Sequence, residues 1–124
     1  MMVPILKRGD CLIASIPSPL SDSHLLRLRD NLAAEVGRAR SRTVFVDVSL
    51  LDVMDSFAVR TLSSLAHMNT ARGAETVIVG IRPDVALAMA QLGLTLHGMS
   101  TAHDLEQGLT RLGERLRRSS RAGH

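Results

Sequence analysis

The chain has 124 residues, enough for one domain with a substantial core. Its 45% apolar and 22% charged residues exclude a disordered chain, and no apolar run approaches the ~20 residues of a membrane-spanning helix. The formal charge of +3 sits mostly in C-terminal arginines, Arg111, Arg115, Arg117, Arg118 and Arg121; with no Trp, no Tyr and only Phe45 and Phe57 to stack on bases, the sequence argues against nucleic-acid binding.

Met1 to Arg8 places no basic segment ahead of an apolar one, which argues against a secretory signal. The one cysteine, Cys11, cannot form an internal disulfide. Together these point to a reducing, cytoplasmic setting. Residues 5–7 and 11–16 read as two short strands around Gly9-Asp10, a hairpin turn signal. Pro17 and Pro19 end the second strand, because proline cannot donate to a ladder. Ser21 or Asp22 then caps a helix whose apolar stripe is Leu25, Leu28, Leu32 and Val36, with Gly37 near its end.

Residues 43–48 are β-branched and nearly all apolar, as in a central strand covered on both faces. A second helix is predicted over about 56–70, with Ala58, Val59, Leu62, Leu65 and Ala66 inward and Arg72-Gly73 closing it. Residues 76–79 form the next strand, ended by Gly80. Pro83 suits a first helical position, and Val85, Leu87, Ala88 and Leu92 belong to a short helix before Gly93. Residues 94–97 are the predicted last strand. Asp104 starts a final helix with Leu105, Leu109, Leu112 and Leu116 on one stripe, fraying after Arg117. The order β-β-α-β-α-β-α-β-α predicts an α/β fold: a mixed, mostly parallel β-sheet with an N-terminal hairpin and about four helices.

Catalytic constellations are hard to find. The five histidines fall on different elements at no metal-ligand spacing, and Cys11 lies in an apolar strand. No glycine-rich phosphate loop and no Gly-x-Ser-x-Gly elbow occurs. Asp47, Asp52 and Asp55 could suggest a phosphoaccepting aspartate. The acidic pair that would hold magnesium after an early strand is absent, and no lysine follows Lys7. What remains is Ser56, a hydroxyl at a helix start beside two carboxylates. On local physics alone a plain helix cap, from Asp55 or Ser56, is its simplest role. A charge switch by phosphorylation is the functional one. A small-ligand or nucleotide-binding α/β module without catalysis also stays open, with Asp47, Ser49 and Ser56 gathered at the strand ends.

Several stretches resemble a known family. They are Leu12-Ile13-Ala14-Ser15-Ile16, Val44-Phe45-Val46-Asp47, Asp52-Val53-Met54-Asp55-Ser56-Phe57 and Gly80-Ile81-Arg82-Pro83, with Thr101-Ala102-His103-Asp104-Leu105 further on. Together they are similar to the STAS domain of anti-sigma-factor antagonists, most of all to the RsbS type of stressosome scaffold. The resemblance covers residues 3–117, leaving 118–124 as a frayed basic tail outside it. It implies a protein that is not an enzyme and needs no cofactor or metal. It implies phosphorylation at Ser56, with Asp52, Asp55, Ser56 and Phe57 as the partner-binding loop. The implied partners are a serine/threonine switch kinase, released on phosphorylation, and a phosphatase that resets phospho-Ser56. Paralogous STAS proteins with sensory N-terminal domains are also implied, in a homo-oligomer or larger assembly away from any membrane. This chain would be the minimal scaffold member. The sensory paralogues carry a second phosphorylated threonine, and residues 83–93 here contain neither Ser nor Thr.

Overall fold

The computed structural model describes residues 3–18 and 20–122, with side chains described to residue 119. Strands β1 (Ile5–Arg8) and β2 (Cys11–Ser15) form an antiparallel hairpin in which Ile5 faces Ala14 and Arg8 faces Cys11. Helix α1 (Asp22–Ala39) follows, then β3 (Thr43–Asp47), α2 (Ser56–Ala71) and β4 (Glu75–Val79). Helix α3 (Pro83–Gln91), β5 (Ser100–Ala102) and α4 (Leu105–Ala122) complete the chain. The five strands lie side by side in chain order, and every pairing after the first is parallel.

That order dictates the layers. Each step from β2 to β5 is a crossover to the adjacent strand, and right-handed crossovers made in one direction put their helices on one face. Helices α1, α2 and α3 accordingly share a core with Leu12, Ala14, Val44, Val46 and Ile78 of the strands. The alternate residues Cys11, Ile13, Phe45, Val77 and Val79 face the other way, where α4 covers them with Leu105, Leu109 and Leu112. Phe45 is fully buried there. Gly108 makes this possible: a Cβ at that position would sit 2.7 Å from Phe45 Cε1.

The predicted stripes of α1 and α2 are buried as expected, and Ser21 caps α1 by accepting from His24 N at 3.2 Å. Two expectations need correction, at residues 94–97 and at Leu116. Residues 94–97 are not a strand; the fifth strand is Ser100–Ala102, pairing with Val77 to Val79. The alternation of Leu94 and Leu96 reflects a loop whose two leucines are half-buried against the core. On α3 the inward pair is Val85 and Met89, four residues apart, while Leu87, Ala88 and Leu92 are exposed. A helix of nine residues spans little more than two turns, and here one i,i+4 pair reaches the core. On α4, Leu116 is exposed, because an 18-residue helix is about 27 Å long and outruns five-residue strands of about 17 Å. The helix itself continues past Arg117 to Ala122, and the end of the expected frayed tail, residues 123–124, lies outside the described residues. Among the described residues no helix is long and apolar enough to cross a membrane.

Candidate functional site

The loop from β3 to α2 is shaped by Asp47. Its Oδ1 accepts from Ser49 N at 2.9 Å and turns the chain as β3 ends. Gly80, at the end of β4, fits against this turn. Its φ is +79°, and a Cβ there would lie 2.9 Å from Ser49 Cβ and 3.1 Å from Asp47 Oδ1. Only glycine satisfies both the dihedral and the space. Gly80 thus packs directly against the Asp47–Ser49 turn, while the Ser49 side chain stays exposed.

Val48 and Met54 are buried and pin the two ends of the loop, while Leu50 and Val53 between them are 60% and 69% exposed. Asp55 then opens α2. Its backbone is extended, with φ −82° and ψ 179°, and its Oδ1 accepts from Ala58 N at 2.8 Å. This is an N-cap bond, and it settles which residue caps: Asp55 holds the free helix donors. Ser56 is the first helical residue, exposed, and its hydroxyl makes no hydrogen bond among the described residues. Phe57 turns inward and packs, half-buried, against the core, so its surface contribution to the loop is small.

Asp52 meets the neighbouring loop. Its carboxylate pairs with Arg82 at 2.5 Å, and Arg82 also reaches Asp84 at 3.4 Å. All three side chains are well exposed, so each pair contributes about 0.2–1 kcal/mol. The contact joins the loops before α2 and α3 across 30 residues of sequence. Reading the sequence did not assign Arg82 a place in the site; the Gly80-Ile81-Arg82-Pro83 motif was the signal available. Arg60, exposed and one turn beyond Ser56, was missed as well, although an i,i+4 spacing puts it on the same side of α2. Beside the loop runs a groove of about 320 Å³ with Ile16, Leu20, Leu25 and Leu51 at its apolar part and Asp52 and Asp55 among its acidic members. The structure thus brings Asp52, Asp55 and Ser56 to one exposed edge, with Phe57 tucked beneath it.

Elsewhere, Cys11 is buried, and burial followed by the nearby Asp10 charge pushes its thiol pKa up, as for an inert core thiol. Among the described residues no group of His, Cys, Asp and Glu is placed to hold a metal ion.

The sequence model of the STAS domain matches residues 2–106. A solved structure of RsbS from Moorella thermoacetica, carrying a serine-to-glutamate substitution, superposes with a TM-score of 0.80 at 32% identity, covering 94% of this chain and 99% of that one. A chain from a structure of the stressosome, described as a signal integration and transduction hub, gives 0.77 and 32%, covering 92% and 99%. The RsbT co-antagonist protein RsbRA of Bacillus subtilis (strain 168) is 28% identical over 83 residues, 67% of this chain but 30% of that protein. The chain therefore spans less than a third of the length of that relative. With the strand order, the capped serine loop and these likenesses in agreement, this chain belongs to the STAS domain family.

Proposed function

We propose that the protein is a phosphorylatable scaffold of the anti-sigma-factor-antagonist type. It sequesters a serine/threonine switch kinase in a stressosome-like complex and releases it when Ser56 is phosphorylated. It works by binding and not by catalysis, together with paralogous STAS proteins that carry sensory domains, and a phosphatase resets phospho-Ser56. The setting is the cytoplasm. The single observation carrying this reading is the division of labour at the start of α2. Asp55 takes the cap, and the Ser56 hydroxyl is left free and exposed one position on. The likeness to RsbS, solved with a serine exchanged for glutamate, supports it.

The physics of the switch follows from the site's charges. Phosphorylation adds about −1.5 to −2 charge. The helix N-terminus favours that anion by about 0.3–1 kcal/mol. Asp52 and Asp55 oppose it and Arg60 offsets them, each by about 1 kcal/mol at 4 Å in water-like surroundings. These terms nearly cancel, so the fold is indifferent to the modification. A partner pressed onto Leu50, Val53 and Ser56 is not, because it must strip water from a dianion beside two carboxylates. A local charge thereby controls binding without refolding. The test is to incubate the protein with the serine/threonine kinase encoded nearest to it and ATP, and to map phosphate by mass spectrometry. Phosphate on Ser56, lost in Ser56→Ala, is expected. Absence of phosphate on Ser56, or equal labelling of the alanine variant, refutes the reading.

A further inference from the structure

At the end of the sheet away from Ser56, the C-termini of α1 and α2 meet the start of β3. Gly37, Arg40, Ser41, Arg42, Arg72 and Gly73 surround an open cleft there of about 510 Å³. Three separate features of this cleft point the same way.

The first is charge. Among the described residues, Arg40, Arg42 and Arg72 make no ion pair. Arg72 lies across Gly37 and donates to the Ala33 carbonyl, which fixes its guanidinium in place. The two helix ends supply roughly half a negative charge each, so about two positive charges remain uncompensated. The second is backbone. Arg40 has φ 52° and is the one non-glycine residue at positive φ among the described residues. It occupies the position after a helix that glycine fills at least cost, so an arginine held there carries strain that glycine would relieve. The third is a buried hydroxyl. Ser41 is 3% exposed and its Oγ has no hydrogen-bond partner, although buried polar groups are ordinarily satisfied.

We propose that this cleft binds a small phosphate-class oxyanion. Guanidinium forks match a tetrahedral oxyanion in geometry and charge, and the Ser41 hydroxyl would gain the acceptor it lacks. The site is separate from Ser56: it lies where the chain enters β3 and β4, whereas the serine follows the C-terminal end of β3. The source is either free phosphate or a phosphate carried on a small molecule.

The experiment is an amide NMR titration at fixed ionic strength, with inorganic phosphate in one arm, ATP in a second and chloride as reference. Saturable shifts at residues 40–42 and 73 are expected with phosphate or ATP and not with chloride, and the tighter arm identifies the source. Arg40→Gly removes one guanidinium and relieves the left-handed backbone, so it should fold at least as well while affinity falls about tenfold. Ser41→Ala breaks no hydrogen bond of the free protein and should also weaken binding. The proposal is overturned if neither phosphate nor ATP gives a saturable shift at these amides. Affinity unchanged within about twofold in both variants overturns it too.

Discussion

Replacing Asp55 with alanine and Ser56 with alanine should have unequal consequences for stability, although the two residues are neighbours. Asp55 accepts the Ala58 amide at 2.8 Å, and losing such a cap costs about 0.5–2 kcal/mol, with ~1 kcal/mol typical. Ser56 is exposed and its hydroxyl makes no hydrogen bond among the described residues, so its truncation should stay within about 0.5 kcal/mol. Unfolding entropy of about 2.1 cal/mol/K per residue gives roughly 0.26 kcal/mol/K for a chain of this size, so 1 kcal/mol moves Tm by about 4 °C. Thermal unfolding followed by circular dichroism should therefore show Asp55→Ala lower by about 4 °C and Ser56→Ala within about 2 °C of the parent. If Ser56→Ala loses as much as Asp55→Ala, or if Asp55→Ala is neutral, the hydroxyl is the cap. The serine would then not be free for a kinase, and the reasoning fails.

Other expectations follow from packing and charge. Gly108→Ala places a methyl 2.7 Å from Phe45 Cε1 and should destabilise by about 1–3 kcal/mol in urea unfolding, with the loss of α4 packing as its origin. Gly80→Ala combines φ +79° with a 2.9 Å approach to Ser49 Cβ and should cost about 1–3 kcal/mol, disturbing the loop that carries Ser56. Burial raises the Glu75 pKa, but hydrogen bonds from Arg115 and Ser100 outweigh it and leave the carboxyl below its usual 4.5. A depressed folded-state pKa contributes stability that is present above the unfolded value and lost as pH falls through the folded one. Glu75→Gln should therefore lower stability at neutral pH and flatten its acid limb below about pH 4.5; an acid limb identical to the parent's would refute this.

The elements that sequence alone revealed are those whose cause is local. Leu25, Leu28, Leu32 and Val36 repeat at helical spacing because every turn of α1 faces the sheet, and all four are buried. The strand at residues 43–47 was legible because both of its faces are covered. β5 was not, since it is an edge strand of three residues with only Ala102 buried, and an edge strand need carry no apolar pattern. Leu87 and Leu92, by contrast, are apolar and exposed, so their burial pattern could not be read from hydrophobicity alone. At the candidate site, the Asp55 and Ser56 assignment was readable because cap chemistry spans four residues. The Asp52–Arg82 pair joins positions 30 apart, and the Gly80 fit depends on a neighbouring strand, so neither has a local signature.

The central claim is that negative charge on Ser56 ends an interaction without disturbing the fold. It is tested most directly by titrating a candidate serine/threonine kinase, the partner class proposed above, against the parent, Ser56→Ala and Ser56→Glu, using calorimetry. The parent and the alanine variant should bind alike. The glutamate variant should keep its circular dichroism spectrum and Tm within about 2 °C, yet bind about 100-fold more weakly, as a loss of about 3 kcal/mol at a desolvated charge requires. Equal affinity of all three for the kinase would contradict the account.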